Sequence, residues 1–280
     1  MSVLLLISAI ILIFSILITK IGYKMGVPTL LVFLVVGMIF GEDGFGIHFD
    51  NYNFVQIIGM IALSIILFTG GMDTRFEKIR PVIAPGIVLA TIGVLLTTVF
   101  TGFFIYGVGF VFEKALSIPL AMALLLAATM SSTDSASVFS ILKSQKMTLH
   151  NNLRPLLELE SGSNDPMAYM LTIVMIQIVR NDGGAHISVA HIVFTFFLQF
   201  AIGLLAGYVI GRIYVWIHNK LNLDNKALYQ ILIIGFIFMT FAITDMLGGN
   251  GYLAVYIAGI IVGNAGCADS KIRIFGQTHS

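Results

Sequence analysis

A polytopic all-α membrane fold is what this sequence predicts, and three features predict it. The 280 residues are 58% hydrophobic and only 10% charged, whereas a soluble domain carries about 25% charged residues. Apolar runs of membrane-crossing length recur along the whole chain. Basic residues gather in alternate loops, as they must when a chain crosses a bilayer repeatedly. The composition also excludes classes of function. A net charge of +1 leaves no basic footprint for nucleic acid. The single cysteine, Cys267, permits no intrachain disulfide and reads as a small apolar space-filler.

With roughly 20 residues per crossing, hydropathy places nine spans near 3–19, 27–40, 54–70, 84–110, 117–142, 155–179, 187–215, 227–245 and 251–266. The first has no basic residues before it and no small-residue cleavage site after it, so it reads as a retained helix rather than a signal peptide. The second and ninth are short, which suits helices shielded by neighbours. The fourth and seventh exceed the hydrocarbon thickness and should tilt or run into the interface. Thirteen of the fifteen basic residues fall in the odd loops and the tail: Lys20, Lys24, Arg75, Lys78, Arg80, Lys143, Lys146, Arg154, Arg212, Lys220, Lys226, Lys271 and Arg273. Only Lys114 and Arg180 fall in even loops. The alternation predicts an external N-terminus, an external acidic loop over 42–50 and a cytoplasmic C-terminal tail.

An internal echo organises these spans. Gly26, then Gly37-Met38-Ile39-Phe40-Gly41, returns 222 residues later as Gly248, then Gly259-Ile260-Ile261-Val262-Gly263. Seven spans separate the copies, and an odd offset reverses their direction, so the echo reads as an inverted repeat of the transporter kind. The implied organisation is a first repeat over 1–179, a linker helix within 180–226, and the start of a second repeat over 227–280. A full second repeat would bring the chain to roughly 400 residues. Residues 1–280 alone are accordingly expected not to exchange ions, and roughly 120 to 140 further residues to restore activity.

The informative residues are the polar ones inside the spans. The sixth span carries Glu158, Glu160 and Asp165, although a mid-membrane acid costs about 2.5–3.5 kcal/mol on insertion scales, which marks an ion or proton pathway. On a helix Ser161 and Asp165 share one stripe, and Glu160 and Asn164 the next. Pro166 has no N–H, so the carbonyl of Gly162 is freed as a potential cation ligand. In the fifth span, Thr129 to Ser137 is dense in hydroxyls around Asp134. Hydroxyl packing between helices explains the serines but not the acid; a broken helix, whose exposed backbone and dipoles need a charge, explains both. Asp134 and Asp165 each lie roughly 15 Å from the cytoplasmic basic residues, at mid-membrane depth. Glu158 lies near the rim beside Arg154. Glu160 is deeper, and is either protonated or paired with a basic residue of another part of the protein. Asp73 reads as part of a solvated loop and Asp245 as an exposed helix end. His186 and His191 lack metal-ligand spacing.

Together these residues resemble the bacterial monovalent cation/proton antiporters of the sodium/proton exchanger superfamily, most closely the potassium/proton branch. The motifs are Gly26-Val27-Pro28, Gly41-Glu42-Asp43-Gly44, Gly70-Gly71-Met72, Ser132-Thr133-Asp134 and Glu160-Ser161-Gly162-Ser163-Asn164-Asp165-Pro166. The resemblance implies that Asp165 carries cation and proton in alternation, that Ser161 and the Thr133 backbone are cation ligands, and that Asp134 is the charge at the crossing of broken helices. It further implies that Glu160 is a structural acid paired to a later arginine, and that Asn164, where other branches have a second Asp, gives electroneutral one-for-one exchange. No cofactor is implied beyond the transported potassium or sodium and the proton. A homodimer in the bacterial inner membrane is implied for the full-length protein. Two other classes compete: an intramembrane aspartyl protease using Asp134 and Asp165, whose Gly-x-Gly-Asp context is lacking here, and a channel, which would carry a continuous polar stripe where this chain is polar at one depth.

Overall fold

The computed structural model describes residues 6, 9–18, 29–42, 44–46, 51–112, 118–144, 147, 149–180, 189–221 and 225–265. Gly26-Val27-Pro28, Asp43, Lys114, His186, Cys267 and the basic tail lie outside them. Every regular element among the described residues is helical. The helices are α1 (Ala9–Ile18), α2 (Thr29–Phe40), α3 (Tyr52–Asp73), α4 (Phe76–Ile79), α5 (Ile83–Val88), α6 (Val94–Val111), α7 (Leu120–Thr129), α8 (Ser135–Ser144), α9 (Leu153–Arg180), α10 (Val189–Lys220), α11 (Lys226–Met246) and α12 (Gly251–Asn264).

Helices cover the described parts of the predicted spans, four of them long and apolar enough to cross a membrane, with one change of boundary. The fourth begins earlier, because the charged stretch after Arg75 is helical: α4, a 3-10 turn over Arg80–Val82, α5, a π turn over Leu89–Gly93 and α6 follow without a break. Charge alone does not stop a helix, and Pro81 sits at the start of the 3-10 turn, where a missing N–H costs least. What separates α3 from α4 is a clamp. Asn264 Oδ1 accepts from Phe76 N–H at 2.7 Å while its Nδ2 donates to the Thr74 carbonyl at 2.9 Å. The expected break in the fifth span falls between Thr129 and Ser135.

The chain packs as two units, one of residues 1–59 and 134–151, the other of 60–133 and 152–280. In the first, α2 packs on α8, and Phe14 meets Phe40 edge-on with ring centroids 5.8 Å apart. A turn at Gly46, with φ +72°, closes the C-terminal end of α2.

In the second unit the short α12 is the central post. Tyr252 through Tyr256, Ala258, Gly259 and Val262 are all buried, which answers how so short a helix is tolerated. Glycines make this possible by letting backbones touch. A Cβ on Gly207 of α10 would lie 2.4 Å from the Ala254 carbonyl oxygen, and one on Gly259 would lie 2.4 Å from that of Phe68 in α3. Gly203 and Gly211, one turn either side of Gly207, also face α12. The echoed copy differs: nothing among the described residues approaches within 4 Å of the Cβ position of Gly37. α11 completes this core with Tyr229, Ile233 and Ile237. Its end is a Schellman turn, with Gly249 N–H on the Thr244 carbonyl, Gly248 N–H on that of Asp245, and Gly248 at φ +75°. The outer face of α6 leaves Phe100, Phe104 and Phe110 exposed, a surface suited to hydrocarbon.

Candidate functional site

The interruption after α7 is built by hydroxyls. Thr129 Oγ1 bonds the Leu126 carbonyl at 2.7 Å and Ser131 Oγ that of Ala128 at 2.7 Å, so side chains close the last turn of α7. Residues 131–134 then run without helical structure. In the first unit Asp134 is the N-cap of α8: its carboxylate accepts from Ser137 N–H at 3.2 Å and Ser137 Oγ at 2.7 Å. A negative charge there also faces the positive end of the helix dipole.

Within the second unit, Ser132 and Thr133 reach α9, which runs unbroken through Pro166. Thr133 Oγ1 donates to Glu160 Oε1 at 2.8 Å. Asn164 Nδ2 donates to Thr133 Oγ1 at 2.6 Å and to Glu160 Oε1 at 2.9 Å, and lies 3.3 Å from the Thr133 carbonyl oxygen, so its two protons are shared among three acceptors. Ser161 Oγ donates to the Thr133 backbone carbonyl at 3.1 Å. Ser132 Oγ donates to the Asp165 carboxylate and is 3.2 Å from Asn164 Oδ1. Asn164 is fully buried, at 0% exposure, so its amide is a brace that ties the interrupted segment to α9. The Glu160–Asn164 stripe thus grips Thr133, while the Ser161–Asp165 stripe lies beside it.

The structure therefore brings together Ser132, Thr133, Glu160, Ser161, Asn164 and Asp165. Glu160 accepts from two neutral donors inside this chain, Thr133 Oγ1 and Asn164 Nδ2. Glu158 takes the rim position, paired with Arg154 at 2.9 Å. Gly162 does more than free a carbonyl. A Cβ there would lie 2.5–2.7 Å from the ring and hydroxyl of Tyr256, so α12 docks through it. Asn250 was not singled out by its sequence context. Buried to 3% exposure, it donates to the Pro166 carbonyl at 3.1 Å, gives its backbone N–H to the Gln199 carbonyl at 3.0 Å, and caps α12 at Leu253 N–H. An Asn directly before an apolar helix was its only signal.

The oxygens here are a backbone carbonyl, a hydroxyl and a carboxylate. That set can ligate a hard monovalent cation, and the carboxylate can take a proton instead.

Fold and site together define a multi-pass helical membrane protein with a polar crossing where an interrupted span meets an acid-bearing helix. The chain belongs to the transmembrane sodium/hydrogen exchanger family, whose pattern matches residues 6–276. It is 41% identical over 252 residues to the K(+)/H(+) antiporter NhaP of Alkalimonas amylolytica, covering 90% of this chain and 42% of that protein. It is 38% identical over 251 residues to the K(+)/H(+) antiporter NhaP2 of Shewanella oneidensis, covering 89% and 42%. To the Na(+)/H(+) antiporter ApNhaP of Aphanothece halophytica it is 27% identical over 244 residues, covering 86% and 43%. The chain thus spans less than half the length of these relatives. Its fold is similar to that of the sodium proton antiporter MjNhaP1 from Methanocaldococcus jannaschii, with a TM-score of 0.77 at 22% identity over 97% of this chain and 65% of that one.

Proposed function

We propose that the protein to which this chain contributes exchanges potassium for protons across the bacterial inner membrane, cation and proton competing for Asp165. The observation that carries this reading is the convergence on α9: Asp165 is held by Ser132 of the interrupted segment, one turn from Ser161, whose hydroxyl meets the Thr133 carbonyl. A carboxylate that is neutralised either by a proton or by a cation has no electrostatic gain from holding both, and that exclusion couples the two fluxes. Glu160 holds the Thr133 hydroxyl and Asn164 both that hydroxyl and the Thr133 carbonyl, and Asn164 adds no second charge, in keeping with one-for-one exchange. The K(+)/H(+) names of the relatives at 38–41% identity favour potassium over the sodium named for the relative at 27%. The inverted-repeat boundaries 1–179, 180–226 and 227–280, and a homodimer of the full-length protein, belong to the same reading. The test is the full-length protein in liposomes, with collapse of an imposed pH gradient measured for each cation in turn. Collapse with potassium is expected; none with any monovalent cation would end the proposal.

Asp134 gives a sharper test, because its capping and its charge can be separated. Asn caps helices as well as Asp does, so Asp134→Asn should keep α8 while removing the charge that faces its dipole. Exchange should be severely impaired in that variant with thermal stability unchanged. Asp134→Ala should in addition cost about 1 kcal/mol of stability. Normal flux in Asp134→Asn would reduce the residue to a cap.

Orientation is tested by labelling. A cysteine at position 145 should react only from the cytoplasm and one at position 44 only from outside, as the charge alternation requires. Reaction of both from one side would overturn the topology.

A further inference from the structure

One cleft of the second unit is not absorbed by the Asp165 site. It is an open cleft of about 150 Å³, lined by Tyr169, Gln199, Asp245 and Asn250, with Gly248 and Gly249 of the turn that joins α11 to α12. Tyr169 stands four residues beyond Asp165 on the same face of α9, about 6 Å along the axis. Asn250, in the cleft wall, holds the carbonyl of Pro166, the residue that follows Asp165. The cleft therefore begins one helical turn from the exchanging carboxylate. Asp245 lies in its wall, exposed, and its carboxylate has no hydrogen-bond or ion-pair partner among the described residues. The C-terminal end of α11, where Asp245 sits, adds partial negative charge.

Resting on the reading of Asp165 as the exchanging group, we propose that this cleft is an entry site for the monovalent cation, in which Asp245 gathers the hydrated ion at the end where α11 finishes. Tyr169, Gln199 and the turn carbonyls offer oxygens that suit a hard cation still carrying water. A carboxylate in a cleft with low-dielectric walls raises the local cation concentration and the rate of capture without touching the exchange step. The charge acts from one side of the membrane only.

The experiment uses the full-length protein in sealed vesicles of one orientation, with potassium supplied from either side. Asp245→Asn should raise the half-saturating potassium concentration roughly tenfold at low ionic strength when potassium comes from the α11 turn side, with the maximal rate unchanged. High concentrations of a salt that is not transported should erase the difference. Asp245→Glu should restore wild-type behaviour. An unchanged half-saturating concentration, an equal rise from both sides, or a fall in maximal rate alone would each overturn the proposal. Asp165→Asn measured in parallel separates the two readings. If it is inactive while Asp245→Asn matches wild type, the cleft alone is refuted; if it still exchanges, the reading of Asp165 is.

Discussion

The Asp165→Asn variant of the full-length protein is expected to insert normally and to exchange no cation for protons. Asn is nearly isosteric with Asp and can still accept the Ser132 hydroxyl bond, so the crossing should keep its geometry. Insertion should be easier, since a mid-membrane acid costs about 2.5–3.5 kcal/mol on insertion scales. What is lost is the group that can be neutral or negative. With no charge to neutralise, neither proton nor cation gains a place by expelling the other, and the coupled rate should fall to that of empty liposomes. The measurement is collapse of a pH gradient on adding potassium, together with retention of the variant's thermal stability in detergent. Cation-dependent proton flux surviving in this variant would remove Asp165 from its role.

Much of this arrangement was legible in the sequence because membranes impose simple rules. Span positions follow from hydropathy, and the interruption after Thr129 follows from hydroxyls crowding around an acid in an apolar run. The two stripes of α9 follow from a spacing of four. What was not legible depends on which helices meet. Glu160 bonds Thr133, 27 residues away, and Asn250 bonds Pro166, 84 residues away; no local pattern announces such pairs. The charged stretch after Arg75 read as a loop because it is polar, yet the clamp by Asn264, 188 residues from Phe76, starts a helix there. Asp245 read as a plain helix end, since a cleft is a property of three helices and a turn.

Gly162 shows how a residue can serve the site by lacking a side chain, and its substitution is expected to cost stability and exchange together. A Cβ at this position would lie 2.5 Å from Tyr256 Cε2, 2.6 Å from Cζ and 2.7 Å from the hydroxyl. The ring has no free direction in which to move: Tyr256 is 2% exposed and belongs to the core with Phe68 and Val255. Overpacking of this kind costs about 1–3 kcal/mol. For Gly162→Ala the better helix propensity of Ala returns up to about 1 kcal/mol, so Gly162→Val, with two further methyl groups, should show the larger loss. The loss should appear as a lowered unfolding temperature of the full-length protein in detergent. Because Gly162 lies between Glu160 and Asn164 on α9, displacing the helix should also loosen the grip on Thr133 and slow exchange. Trimming the opposing ring makes the argument specific. Tyr256→Ala opens the space that the new side chain needs, so the Gly162→Val and Tyr256→Ala double variant should be more stable than the sum of the single effects allows, by at least about 1 kcal/mol. Strictly additive losses would mean that Tyr256 is not what Gly162 makes room for.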